Sequence, residues 1–139
     1  MISKYIAVLL VLAGYASCQE NQMPDNGKDS WVCKPEPKVT ITLTFDSGQV
    51  YVNTFPKDIY MYMTTNINRV YLFRDGDQYC VRGDTLYYVN PIPDIHVDNC
   101  GFVGTMLSSS KMKLQSFGGI PFPDNGIYIM EYLFERKTN

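Results

Sequence analysis

The chain has 139 residues, with 12 basic and 14 acidic side chains and a net charge of −2 at neutral pH. This length fits one small domain and a leader. The charge is mild and no basic patch stands out, which argues against a nucleic-acid-binding protein.

The first 17 residues are typical of a secretory signal peptide. Lys4 supplies the positive charge, residues 5–13 form an apolar core, and the small residues Gly14, Ala16 and Ser17 lie near a cleavage site. A transmembrane helix needs about 20 apolar residues, and this run is shorter. We therefore predict an exported protein.

Two cleavage positions compete, and they give Cys18 different fates. Cleavage after Ser17 resembles processing of the bacterial lipoprotein signal, in which an aliphatic residue and two small residues precede a lipidated cysteine; Tyr15 stands where leucine is usual. This resemblance implies a lipid anchor on Cys18 and a periplasmic, membrane-anchored protein. Cleavage after Ala16 predicts a secreted protein in which Cys18 is an ordinary residue.

Residues 18–37 are polar and contain several prolines and glycines. A proline restricts the preceding residue to extended shapes, so we predict a tether that ends in a stiff lead-in. Trp31, the only tryptophan, is expected to pack on the domain and to mark where order begins.

Residues 38–139 are predicted to form one all-β domain. Apolar residues alternate with threonine from Val39 to Phe45, which indicates a half-buried strand. The turn Asp46-Ser47-Gly48 leads to a second strand, Gln49 to Phe55. Further strands are predicted over residues 59–64, 70–74, 78–82, 85–89 and 127–134, and residues 95–97, 102–107 and 111–117 are weaker strand candidates.

Two of these predictions concern pairing and position in the sheet. Asp75-Gly76 is a strong hairpin signal between the strands at 70–74 and 78–82. Ile127 to Phe134 is apolar on both faces except at Glu131, so it is expected to be a central strand. About eight short strands without helical periodicity are typical of a β-sandwich or a barrel. We predict a single small antiparallel β-sandwich of immunoglobulin-like or similar type.

The cysteines predict at least one disulfide in an exported chain. Cys80 and Cys100 flank one region and are the expected pair, while Cys33 is an alternative partner for either. An unlipidated Cys18 allows two bridges. No C-x-x-C pair supports a zinc knuckle or a redox motif.

Little in the sequence points to catalysis. His96 is the only histidine, and on a strand it shares a face with Asp94 and Asp98. Such a set can hold a divalent metal, but an amphipathic edge strand explains it as well. We predict no catalytic residue, no metal site and no cofactor, with an enzyme or metal protein using His96 as the most distant alternative.

The tripeptide Arg82-Gly83-Asp84 is the motif that integrins recognise, and it lies in a predicted turn. Gly83 and Asp84 are also what a turn requires. We therefore note Arg82, Gly83 and Asp84 as a possible interaction loop.

The leader with Cys18, the stretch DQYCVRGDTLYYV and the ending FPDNGIYIMEYLFE resemble bacterial cell-envelope lipoproteins. The chain is similar, loosely, to enterobacterial type VI secretion immunity periplasmic lipoproteins. This resemblance implies a non-enzymatic protein that binds and neutralises a toxin or effector. A secreted, disulfide-stapled surface or adhesion domain is the alternative; the sequence leaves the oligomeric state open.

Overall fold

The computed structural model describes residues 23–24, 27–59, 62–64, 67–89, 100–118 and 127–138, with the backbone alone for 62–64, 67–70 and 127–128. The strands are β1 Lys28–Glu36, β2 Val39–Asp46, β3 Gln49–Phe55, β4 Tyr62–Thr64, β5 Ile67–Tyr71, β6 Gln78–Arg82, β7 Thr85–Tyr88, β8 Gly101–Met106, β9 Lys111–Phe117, β10 Ile127–Ile129 and β11 Glu131–Arg136. The predicted all-β class is confirmed.

Eight of these strands close into an antiparallel barrel, so the predicted sandwich is corrected. The order around the barrel is β1, β2, β3, β6, β7, β8, β9 and β11, and β1 pairs with both β2 and β11. The barrel strands therefore neighbour one another in chain order, which is the up-and-down arrangement. Local alternation predicts each strand, but it does not reveal that the first and last strands pair and remove the sheet's two edges.

The β2–β3 hairpin is confirmed residue by residue. Val39, Ile41, Leu43 and Phe45 are all buried, because residues two apart on a strand share a face. Ser47 and Gly48 form the two-residue turn, both with positive φ, as tight hairpins of this twist require.

The predicted tether is corrected over residues 28–36, which form barrel strand β1. Trp31 and Cys33 alternate into the core, as expected for Trp31, and Met23 before the strand is also buried. The sequence did not predict this strand because Pro35 lies inside it, and proline is unusual in strand interiors. It lies where the β1–β2 register shifts between Cys33 and Glu36, and such an irregularity is one of the places where a sheet tolerates proline.

The upper end of the barrel is the end with the β2–β3, β6–β7 and β8–β9 turns. There an ion pair joins β1 to β11, with Arg136 Nη2 2.7 Å from Asp29 Oδ2. The guanidinium of Arg136 also lies 5.3 Å from the Trp31 ring centroid. The Trp31 indole N–H donates to Asp29 at 3.2 Å. One carboxylate thus binds both strands of the closing seam.

A second, three-stranded sheet of β10, β5 and β4 corrects two predictions. The expected strand 127–134 is two strands separated at Met130: β10 pairs in parallel with β5, and β11 belongs to the barrel. Gly76 does form a turn, with a φ of 87°, but β5 and β6 lie in different sheets and form no hairpin. The predicted strand at 95–97 lies outside the described residues.

Candidate functional site

Side chains fill the described interior of the barrel. After β5 the chain enters the barrel, and the Phe73 ring stacks on Phe102 with centroids 4.3 Å apart. The same ring makes edge contacts with Tyr132 at 4.8 Å and Phe134 at 5.8 Å. Eight-stranded barrels either pack their interior or hold one small ligand. Phe73 occupies the described centre here, which leaves the outer surface of the described barrel for recognition.

A hydrogen bond fixes this inserted segment. The backbone N–H of Leu72 donates to the Tyr132 hydroxyl at 2.7 Å, and both residues are buried. Burial is the main cause that raises the pKa of Tyr132, which keeps the hydroxyl protonated. The Tyr132 side chain therefore holds the entering chain while its ring packs against Phe73.

The turn Arg82-Gly83-Asp84 lies exposed at the upper end, between β6 and β7. Gly83 has a φ of 64°, which favours glycine at the first central position of a two-residue hairpin turn. The Asp84 carboxylate accepts a bond from the Thr85 hydroxyl at 2.8 Å, and the Asp84 carbonyl accepts from the Gly104 amide at 2.7 Å. The predicted turn is confirmed, and its aspartate is held by its own neighbours.

An aromatic surface, the Tyr87 patch, lies beside this turn on the outer face; it comprises Cys80, Arg82, Tyr87 and Phe117. Cys80 pairs with Tyr87, Tyr87 with Gly101, and Gly101 with Phe117, in one row across four strands. The Arg82 guanidinium lies 5.5 Å from the Tyr87 ring centroid. Aromatic residues and arginine are the types enriched in protein interfaces.

Gly101 explains how the two rings of the patch meet. A Cβ at Gly101 would lie 1.8 Å from the Leu86 carbonyl oxygen, so only glycine fits there. The missing side chain leaves bare backbone between Tyr87 and Phe117, and their ring centroids are 5.9 Å apart. Aromatic rings that cover a strand glycine are a known device of sheets.

The predicted Cys80–Cys100 disulfide is not formed, and the register gives the reason. Cys33, Cys80 and Cys100 are free thiols in this structure. The Tyr88 amide donates to the Cys100 carbonyl, and Tyr88 pairs with the buried Tyr79. The Cys100 side chain therefore points to the inside of the barrel and the Cys80 side chain to the outside. Their backbones are two strand spacings apart, which is about 10 Å. A disulfide requires Cα atoms within about 7 Å.

Cys33, the alternative partner, is a buried core thiol. Desolvation raises the pKa of Cys33 to about 11, although a hydrogen bond with the Leu133 backbone opposes the shift. The thiol is therefore almost wholly protonated at neutral pH, which is the state of an inert structural cysteine.

Titratable side chains gather near the lower end of the barrel. Burial raises the pKa of Asp77, opposed by a hydrogen bond from the Arg74 backbone and by the Arg74 charge. Burial, followed by the charge of Asp77, raises the pKa of Tyr79 and Tyr88, and burial also raises the pKa of Cys100. This cluster stays in its protonated forms more readily than the same groups in water.

Two of the sequence's candidate sites lie outside the described residues: Cys18 with its lipidation signal, and His96 with Asp94 and Asp98. Within the part of the chain that the structure describes, no group of three or more His, Cys, Asp or Glu side chains is placed to hold a metal ion. The same described residues contain no helix of the length and apolarity needed to cross a membrane.

Sequence reasoning missed the Tyr87 patch. The two-residue turn at Gly83-Asp84 implies that Cys80 lies opposite Tyr87, so this pair could have been predicted from the sequence. Placing Phe117 beside them requires the β7–β8 register, and residues 89–100 separate those strands in the chain.

Comparisons with models of protein families, with curated proteins and with solved structures give no match to this chain.

Proposed function

We propose that this chain is an exported, non-enzymatic protein of the cell envelope that binds and neutralises a protein toxin or effector. The observation that carries the proposal is the Tyr87 patch, an outward row of aromatic side chains beside an arginine on the strands of the barrel. Sites built on strands are held more precisely than sites on loops. The interior packed around Phe73 supports recognition on the outer face.

The experiment is a protection assay in an expressing bacterium. The full chain is produced together with each of a panel of periplasm-directed toxins, including any that is encoded next to its gene, and growth is measured. Purified chain and toxin are then tested for binding by calorimetry. Protection with a tight complex supports the proposal; normal killing with no measurable binding overturns it.

Matched variants assign the surface. Tyr87→Ala and Phe117→Ala together are expected to weaken toxin binding at least tenfold, because aromatic anchors dominate interface energies. Phe55→Ala, which removes an exposed ring on β3 outside the patch, is expected to bind like the wild type. Equal affinities for all variants would exclude the Tyr87 patch as the binding surface.

The envelope location depends on Cys18, and we propose that Cys18 carries the lipid anchor. Intact mass of the mature protein from membrane and soluble fractions tests this. An acyl mass increment on a chain that begins at Cys18, lost in Cys18→Ser, supports the anchor. A soluble chain that begins at Ser17 would replace it with a secreted protein.

Adhesion through Arg82-Gly83-Asp84 is the second candidate, favoured by the exposure of the turn at the barrel's upper end. It predicts cell attachment that is lost in Asp84→Glu. The structure weakens this candidate because Arg82 lies over Tyr87 and the Asp84 carboxylate bonds to Thr85, so both charged groups already have partners within the chain.

A further inference from the structure

A second surface lies where the barrel closes, at the pairing of β1 with β11. The Tyr87 patch lies on other strands, β6 to β9. The outer faces of β1, β2 and β11, together with the β8–β9 turn and the start of β9, line an open groove of about 990 Å³. We name it the seam groove. Its lining includes Val32, Lys34, Leu107, Lys111, Leu133 and Lys137.

The groove follows the least-paired seam of the barrel. Registered pairing between β1 and β11 covers Trp31 with Arg136 and Val32 with Glu135, and the Lys137 amide donates one further bond to the Ser30 carbonyl. Strand β1 continues to Glu36, and strand β11 begins at Glu131. By contrast, β11 and β9 pair from Glu131 to Glu135. The seam therefore offers a partner two strands whose mutual pairing is short.

The charge of the groove opposes that of the whole chain. Lys34, Lys111 and Lys137 are exposed in it, and Glu135 is the one carboxylate among the described lining residues. Arg136 also lines the groove, but its guanidinium is paired with Asp29. The whole chain has a net charge of −2. The described lining of the groove instead has three lysines and a single glutamate, so it is a local positive region that attracts acidic partners.

The groove also offers apolar contact. Leu133 is 59% exposed and Leu107 is 55% exposed, two of the large apolar side chains most open to water in the described chain. A ligand that satisfies both features has carboxylates at the spacing of the lysines and apolar side chains between them. An extended acidic peptide segment has that pattern, because its successive side chains alternate in direction.

We propose that the seam groove binds an extended acidic segment of a partner protein, with carboxylates on Lys34, Lys111 and Lys137 and apolar side chains on Leu107 and Leu133. This rests on the proposed function as a protein-binding module and adds to the Tyr87 patch a second contact surface of stated chemistry. Binding weakens as salt rises, since exposed charge pairs are screened.

The test uses fluorescence anisotropy with the mature chain. The probe is a short labelled peptide rich in glutamate with interspersed leucines, and the control probe replaces every glutamate by glutamine. We expect the acidic probe to bind, the amide probe to bind at least tenfold more weakly, and Lys34→Glu with Lys137→Glu to reduce acidic-probe affinity at least tenfold. Lys38→Glu, an exposed lysine in the β1–β2 turn, is the matched control and is expected to bind normally.

Four outcomes overturn the inference: no binding of the acidic probe, equal binding of both probes, equal loss in Lys38→Glu, or loss only in variants whose thermal unfolding shows that the barrel is destabilised. Sedimentation that shows a dimer dissociated by the same charge reversals would assign the groove to a second copy. Charge-dependent binding to phosphatidylglycerol vesicles without peptide binding would assign it to a lipid surface.

The protection assay separates this inference from the proposed function. If the wild type protects against the toxin and the charge-reversed groove variant protects equally, the seam groove is excluded as the toxin's site and the proposed function stands. If the wild type fails to protect while the acidic probe binds with the expected charge dependence, the proposed function fails and the groove remains a peptide site.

Discussion

The rings of Tyr87 and Phe117 contact each other on the outer face of the barrel with centroids 5.9 Å apart, although strand β8 lies between their strands. Gly101 occupies the intervening position in the row. The contact therefore depends on a residue that has no side chain and that packs against the Leu86 backbone.

Gly101→Ala is expected to destabilise the barrel by roughly 1–3 kcal/mol, the usual cost of overpacking a tight site. The new methyl would meet the Leu86 carbonyl oxygen, which is backbone and cannot move aside without shifting β7. Urea unfolding measures the change. Thr105→Ala, at an exposed position of the same strand, should cost less than about 1 kcal/mol; a similar loss in both variants would contradict the close-approach argument.

Tyr132→Phe is expected to cost roughly 1–3 kcal/mol, because it leaves the buried Leu72 amide without its acceptor. Hydrogen exchange of the Leu72 amide should accelerate more than global unfolding explains. Tyr51→Phe, at a tyrosine that is 44% exposed, is the control and should leave stability unchanged. Undisturbed protection of Leu72 in the Tyr132 variant would show that another group holds this segment.

Asp29→Ala is expected to lower stability by about 1 kcal/mol. The ion pair with Arg136 is partly exposed and contributes little by itself, while the Trp31 indole N–H loses its acceptor. A double-mutant cycle with Arg136→Ala measures the coupling, and Asp58→Ala in an exposed turn is the control. Strict additivity of Asp29→Ala and Arg136→Ala would show that the pair does not fasten the seam.

Iodoacetamide is expected to label Cys80 first and Cys33 last. The pKa of Cys33 rises from 9.0 to about 11 on folding, so near pH 8 its thiolate fraction falls roughly a hundredfold, and burial slows the reagent further. Peptide mass spectrometry gives the order. Intact mass after mild oxidation should show no bridge between Cys80 and Cys100; a bridge formed without unfolding would contradict the β6–β7–β8 register.

Asp77→Asn is expected to stabilise the protein near neutral pH and to lose that effect in acid. Burial raises the folded-state pKa of Asp77, so its contribution to stability is fully present below the unfolded pKa and is lost as pH rises through the folded pKa. Asparagine stays neutral and still accepts from the Arg74 amide. Urea midpoints across pH test this, with Asp75→Asn as the turn control; a pH-independent difference would contradict the burial argument.

The sequence predicted the parts of the fold that depend on neighbours in the chain. Alternation from Val39 to Phe45 and the turn at Ser47-Gly48 specify the β2–β3 hairpin, because register in a hairpin follows from the turn. Barrel closure instead depends on Trp31 pairing with Arg136. The local sequence around Trp31 and Arg136 does not indicate that they pair, because they are far apart in the chain. Pro35 also argued against a strand at residues 28–36, the strand β1 that makes this pairing.

The candidate site divides in the same way. The exposed Arg82-Gly83-Asp84 turn was predictable from turn chemistry alone. The Tyr87 patch was not, because placing Phe117 requires the β7–β8 register. The seam groove was not, because it is assembled from strands brought together by closure. Apolar alternation also misplaced the end of the chain: residues 127–134 read as one strand, whereas Met130 separates strands of two different sheets.

The burial of Met23 limits how far a membrane anchor would let the barrel travel. Its methyl group lies against Gly104, whose amide bonds to Asp84 at the upper end. Five residue steps separate Cys18 from Met23, so their Cα atoms can be at most about 18 Å apart when the chain is fully extended. A lipid on Cys18 would therefore hold the end of the barrel that carries the Arg82-Gly83-Asp84 turn near the bilayer.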